Sequence, residues 1–238
     1  MTARPVPAPL PAAARTAPSG RGVLVVFEGG DGAGKSTQVR RLVDALAEDG
    51  HDVVRTREPG GTPLGERVGE LLLDPGHGPV GPRAEALLFA AARAAHVEQL
   101  IRPALTAGRT VVCDRFADSS AAYQGAGRGL GLERVAELNA WATAGLVPDL
   151  TVLLDVPPAT GRARRRVRDG GGGDRLEAEP DAFHDVTREA FLALARREPS
   201  RYLVLDARRP AGELAAEVAA AVRARLTGPR RDTAEVGA

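Results

Sequence analysis

Five short runs of β-branched and aliphatic residues punctuate the chain: VLVVFE (23–28), DVVRT (52–56), TVVCD (110–114), LTVLLDV (150–156) and RYLVLDA (201–207). Between them, apolar residues recur at helical spacing over 35–48, 63–73, 83–106, 132–144, 158–168, 181–197 and 210–226. Strands this apolar need cover on both faces, and helices alternating with them supply it. The pattern predicts an α/β fold, a doubly wound parallel sheet with helices on either side. In such sheets ligands bind beyond the carboxyl ends of the strands, which singles out 28–36, 57–61 and 114–124.

The pattern stops at both ends. Residues 1–21 carry prolines at 5, 7, 9 and 11 and no unbroken apolar stretch, so they read as a disordered tail rather than a secretory signal. Residues 227–238 read as a second tail, and 22–226 as one domain that no linker divides. No charge-free apolar run approaches the ~18 residues of a spanning helix, which predicts no membrane association. Acidic residues (31) nearly cancel basic ones (32), an argument against a nucleic-acid binder. The single cysteine, Cys113, permits no internal disulfide and fits a reducing, cytoplasmic setting.

One compositional detail changes the picture. Thirty-one of the 32 basic residues are arginine, and the only lysine is Lys35. It ends Gly29-Gly30-Asp31-Gly32-Ala33-Gly34-Lys35-Ser36, which satisfies G-x-x-x-x-G-K-[ST] between a strand and a helix. In that setting backbone N–H groups of 29–34 turn inward as an anion nest at the positive end of the helix, with Thr37 in its first turn. Lys35 would reach the β- and γ-phosphates of ATP, and the Ser36 hydroxyl would ligate Mg2+. A compact ammonium on a slim stem suits that place better than a forked guanidinium. The bland alternative is a glycine-rich turn.

The loop alone names no reaction. A GTPase needs an N-K-x-D guanine reader, and no second lysine exists to supply it. The third strand ends Cys113-Asp114-Arg115, an acid followed by a base. That arrangement suits a small-molecule kinase, in which an arginine offsets the repulsion between two anionic substrates.

Five ordered segments spread over 22–226 together resemble the thymidylate kinase family: FEGGDGAGKSTQ (27–38), TREPGGTPLGE (56–66), ALLFAAARAAH (86–96), CDRFADSSAAYQGAGRGLG (113–131) and RARRRVRDGGGGDRLE (162–177). The resemblance implies a P-loop NTPase fold with a five-stranded parallel sheet, a mobile lid at about 162–179, a homodimer, and phosphoryl transfer from ATP to dTMP with Mg2+. By the same resemblance Phe89 stacks on thymine and Arg93 bonds a pyrimidine carbonyl. Four residues apart, the two project from one helix face, and a core role for Phe89 stays open. Arg115 would hold the dTMP phosphate. Asp114 would neutralise Arg115, help hold Mg2+ or cap a helix. Asp31 is expected on the acceptor side. Ser119, Ser120, Tyr123 and Gln124 resemble a loop around base and deoxyribose, with Tyr123 in the space of a ribose 2′-hydroxyl. Arg57 and Glu58 resemble the acceptor-phosphate side, or form a surface ion pair.

In the lid, Arg168 is the first candidate for the catalytic arginine, with Arg164 and Arg175 behind it; Arg164 and Arg168 share a helix face. One departure stands out: many relatives carry an arginine where this chain has Gly69, and Arg67 points about 200° away around the helix. Two other readings stay open: a P-loop kinase for a different nucleoside or nucleotide, and a non-catalytic nucleotide-binding regulator.

Overall fold

The computed structural model describes residues 21–169 and 173–227, and at Arg168 and Asp169 the backbone alone. The two tails read from the sequence lie outside the described residues except at their inner ends. There Arg21 pairs with Asp149 at 2.8 Å, and Thr227 ends the last helix.

All five expected strands form: β1 (Leu24–Glu28), β2 (Val53–Arg57), β3 (Thr110–Asp114), β4 (Leu150–Asp155) and β5 (Tyr202–Asp206). They make one parallel sheet in the order β2-β3-β1-β4-β5. The central strand β1 is buried along its whole length. Its neighbours β3 and β4 carry Val112, Val152 and Leu154 into one apolar layer, and Val111, Cys113 and Leu153 face the other side.

The helices are α1 (Lys35–Glu48), α2 (Pro63–Leu73), α3 (Pro82–His96), α4 (Arg102–Thr106), α5 (Ala117–Ser120), α6 (Leu132–Ala142), α7 (Pro158–Asp169), α8 (Asp181–Arg197) and α9 (Ala211–Thr227). Two differences from the sequence pattern have local causes. The single helix expected over 83–106 is α3 and α4 joined by a π-helical turn, Val97–Ile101. Pro103, in the first turn of α4, has no N–H to give, and a widened turn ahead of it absorbs the break. The segment read as a loop around 119–124 is helical: α5 runs into a π-helical stretch, Ala121–Gly127.

The topology reverses at β1, so its carboxyl end opens into the crevice between β3 and β4. There α7 lies against the glycine-rich loop with no room for a side chain. A Cβ on Gly161 would sit 2.3 Å from the Asp31 carbonyl oxygen, and one on Gly32 (φ +79°) 2.2 Å from that of Gly161. Replacing a mid-helix glycine by alanine ordinarily stabilises by up to about 1 kcal/mol. Here Gly161→Ala is expected to destabilise by about 1–3 kcal/mol, because backbone must move to admit the methyl. A urea melt checks the sign: a variant more stable than the parent would contradict this close approach.

Candidate active site

Two cavities adjoin at the carboxyl edge of the sheet. One is lined by the glycine-rich loop with Lys35, Ser36, Thr37 and Asp114; the other by Phe89, Arg93, Ser120, Tyr123 and Gln124. Asp31, Arg57, Glu58 and Arg115 border both.

In the first cavity the loop opens α1 through Gly34, whose left-handed backbone (φ 93°) leaves the helix N-terminus uncapped by any side chain. Its first N–H groups have no side-chain partner, the arrangement an anion nest requires. Lys35 Nζ donates to the carbonyls of Gly29 (3.0 Å) and Gly30 (2.9 Å). Burial and the Arg115 guanidinium push the ammonium down to about 8, against the pull of Asp31, Asp114 and Glu28. An incoming polyphosphate would push it back up by adding negative charge beside the ammonium. Ser36 Oγ donates to Asp114 Oδ2 at 2.8 Å. Asp114 is therefore not the cap of α5, whose N-cap position is Phe116, with no side-chain cap.

The residue that holds α5 is Glu28, which the sequence reading passed over. Its Oε1 accepts from the backbone N–H of Phe116 (2.9 Å) and Ser119 (3.1 Å), and its Oε2 from Ser119 Oγ (2.6 Å). Ser119 Oγ in turn accepts from Arg115 Nη1 at 3.1 Å. Burial, reinforced by the charge on Asp118, pushes the Glu28 carboxyl up to about 7 despite the bonds it accepts.

Arg115 enters the site by a left-handed backbone turn (φ 70°), uncommon for a residue with a side chain and found where surroundings enforce it. It donates to the Gly29 carbonyl (3.1 Å) and forms a tight ion pair with Asp31, whose other oxygen accepts from Tyr123 Oη at 2.9 Å. Burial alone would raise the Asp31 carboxyl. Arg115, Lys35 and the Tyr123 hydroxyl outweigh it and hold Asp31 well below the usual carboxylate range.

In the second cavity Phe89 is both wall and core, packing with Tyr123, Leu176 and Phe183 in one apolar cluster. Arg93, 1% exposed, spends its donors on Glu58 (2.8 Å), Ser120 Oγ (3.1 Å), Asn139 Oδ1 (2.6 Å) and the Phe116 carbonyl (3.1 Å). Four of its five N–H groups are thus engaged, leaving one on Nη2. Glu58 does not pair with Arg57. It is buried, and its second oxygen meets His96 Nδ1 at 3.0 Å, while His96 Nε2 meets Thr56 Oγ1 at 2.7 Å. Arg57 instead reaches Glu66 at 2.6 Å and stays exposed. Gly69 is buried against the Pro59 ring, and Arg67 pairs outward with Glu70, so Arg67 does not take that arginine's place.

The arginines of α7 separate. Arg164 donates to the carbonyls of Gly32 (3.5 Å) and Ala207 (3.0 Å). Arg165, absent from the sequence candidates, lies 4.0 Å from Asp31 and 3.8 Å from Glu177. Arg162 pairs with Asp181. The Arg168 side chain lies outside the described residues. Arg175 is turned away from the glycine-rich loop, onto Glu85 at 2.6 Å and the Leu72 carbonyl at 2.9 Å.

The thymidylate kinase family model matches residues 27–218. The chain is 52% identical to the thymidylate kinase of Cutibacterium acnes over 207 residues, covering 87% of this chain and 97% of that one. It is 54% identical to that of Deinococcus radiodurans, covering 86% and 98%. It is 51% identical to that of Pseudomonas fluorescens, covering 79% and 89%.

The raised Glu28 carboxyl carries a signed consequence for stability. Folding favours its protonated form, so its contribution is full below the unfolded value of 4.5 and is lost as pH rises through about 7. Between pH 5 and pH 8 the parent should lose on the order of 2 kcal/mol relative to Glu28→Gln. Paired urea melts at the two pH values measure this; an unchanged difference would mean that Glu28 is already ionised at pH 5.

Proposed function

The chain belongs to the thymidylate kinase family, and on that premise we propose that its two adjoining cavities seat the two nucleotides of one phosphoryl transfer. The reaction passes the γ-phosphoryl group of ATP to the 5′-phosphate of dTMP, giving ADP and dTDP. The observation that carries the assignment is the Asp31–Arg115 pair, which borders both cavities and is where donor and acceptor phosphates would meet.

The loop 29–34, with Lys35, Ser36 and Thr37, takes the donor phosphates. Arg115 holds the acceptor phosphate with Arg57 beside it, and Phe89 lies against the base. The spare N–H of Arg93 goes to a base carbonyl, and Ser120 and Gln124 to the remaining edge. Asp31, Ser119 and Tyr123 bound the deoxyribose. The acceptor is already an oxyanion, so catalysis is mostly positioning and charge compensation. Besides Arg115, the arginines of the lid supply the compensating charge: Arg168 and Arg164, as the sequence suggested, and Arg165, which already faces Asp31.

Ser36 and Asp114 offer two hard oxygens side by side next to the phosphate nest, which fits Mg2+ held partly by protein and partly by phosphate. No cluster of three or more His, Cys, Asp or Glu suited to a metal occurs among the described residues, which agrees with a shared rather than a caged ion. When bound, the ion neutralises charge on the β- and γ-oxygens.

A homodimer would cover the exposed Leu64, Leu71 and Leu87 on the adjoining helices α2 and α3. No described helix is long and apolar enough to cross a membrane. We place the enzyme in the cytoplasm, in keeping with a single, buried cysteine.

A coupled assay across dTMP, dUMP, dCMP, UMP and AMP tests the acceptor assignment: dTMP is expected to give the highest kcat/KM, and a preference for AMP or UMP would overturn it. On the donor side, Lys35→Ala should cost several orders of magnitude in turnover, and Lys35→Arg should recover little of it. Nζ is held as a compact point charge by two carbonyls, a placement that the wider guanidinium fork does not reproduce. Near-parental kcat in Lys35→Arg at saturating ATP would refute that argument.

A further inference from the structure

Glu85, in the first turn of α3, is a fully buried carboxylate outside the machinery described so far. Three hydrogen bonds and one ion pair surround it. Gln124 Nε2 donates at 2.8 Å, Arg128 Nε and Nη2 at 3.2 Å each, and Arg175 Nη2 lies 2.6 Å away. Arg128 is shared with Glu179 at 2.7 Å, so two carboxylates and two guanidiniums balance in charge. A buried carboxylate left short of partners costs more than the bonds it makes, so the group holds together as a unit.

Two consequences meet at the acceptor cavity. A carboxylate only accepts, so Gln124 must turn its NH2 toward Glu85 and present its carbonyl oxygen on the other side. The segment carrying Arg175 is tied down at the same place. Its backbone N–H donates to the Leu73 carbonyl at 3.1 Å and its Nε to that of Leu72 at 2.9 Å. The neighbouring Asp174 and Leu176 thereby become wall residues of that cavity, Leu176 packed in the same apolar cluster as Phe89.

We propose that Arg175 serves the acceptor nucleoside and not the transferring phosphoryl group: acting through Glu85, it is a positioning residue that fixes the Gln124 carboxamide and docks the lid's C-terminal arm as a wall of the base cavity. This rests on reading that cavity as the dTMP site. It gives the 173–179 segment a task in acceptor recognition before any donor binds.

The test is steady-state kinetics and calorimetric dTMP titration on the full chain, with Arg175→Met, Gln124→Ala and the double variant. Arg175→Met keeps the apolar stem and removes the forked donor. It should raise the KM and Kd for dTMP about tenfold, with ATP KM and kcat within about threefold of the parent. In the Gln124→Ala background the same substitution should add less than about twofold, because its route to the base is already cut. A kcat loss of about 100-fold with dTMP KM unchanged would mean that Arg175 swings onto the phosphates, and would overturn the proposal. So would parental values throughout, or an Arg175→Met effect undiminished in the Gln124→Ala background. If Arg175→Met fails to fold, Arg175→Lys replaces it; lysine can meet Glu85 but not Glu85 and Leu72 together, so a dTMP-selective loss is again expected. If Gln124→Ala itself leaves dTMP binding unchanged, the cavity is not the acceptor site and the underlying reading falls first. If Gln124→Ala weakens dTMP and Arg175→Met does not, only the present proposal falls.

Discussion

The ion pair between Asp31 and Arg115 joins parts of the molecule that have little else in common. Asp31 belongs to the loop after β1, and Arg115 to the turn after β3, on neighbouring strands whose carboxyl ends lie in register at Phe27 and Asp114. Parallel pairing puts the two turns side by side, and the strained backbone at Arg115 points its side chain back across the gap. Around the pair the structure adds partners on each side: Ser119 and the Gly29 carbonyl for the guanidinium, Tyr123 and, farther off, Arg165 for the carboxylate. The pair is too buried to be held by charge alone, and these bonds offset its desolvation.

Nearly every buried acid in this region is matched to arginine or to backbone donors. Glu58 meets Arg93, Glu85 meets Arg128 and Arg175, and Glu28 meets two peptide N–H groups and a hydroxyl. An arginine fork can bridge several acceptors at fixed angles, which lysine cannot. Arg93 shows the result: one guanidinium ties α3 to the segment after β2, to α5 and to α6, and still has one N–H left for a ligand. Lys35 stands apart: its slim ammonium meets the Gly29 and Gly30 carbonyls at the phosphate loop.

How much of this was legible in the sequence depended on the range of the signal. The helices 35–48 and 181–197 were readable to the residue, and the one near 63–73 closely, because apolar periodicity and Gly or Pro boundaries are local. Lys35 and Ser36 were singled out by a motif whose spacing is also local, whereas Asp114, the partner of Ser36, lies 78 residues away and its part in the site entered only through the family resemblance. The helical nature of 117–127 was hidden in a run of Ser, Ala and Gly, since the group that caps it, Glu28, lies 91 residues from Ser119. Glu85 and Glu58 were invisible as hubs for the same reason. Among the arginines of α7, spacing showed which ones share a face but not which face meets Asp31. That was decided by the contact between Gly161 and the loop, which rotates Arg165 inward.

On the assignment proposed above, that contact also lets one segment serve both nucleotides. At its start, Gly161 and Arg164 lie on the backbone of the phosphate loop. Near its end, Arg175 is fixed to α2 and α3, and Leu176 is packed with Phe89. A shift of α7 caused by phosphates entering the loop would be felt at Arg165, which faces both Asp31 and Glu177 at distances near 4 Å, too long for firm hydrogen bonds. Arg165 is free to exchange those carboxylates for phosphate oxygens, whereas Arg175 is anchored by the Leu72 carbonyl and an ion pair with the buried Glu85. The two arginines therefore divide the segment. The end nearer the loop can respond to the donor, and the end at α3 stays with the acceptor.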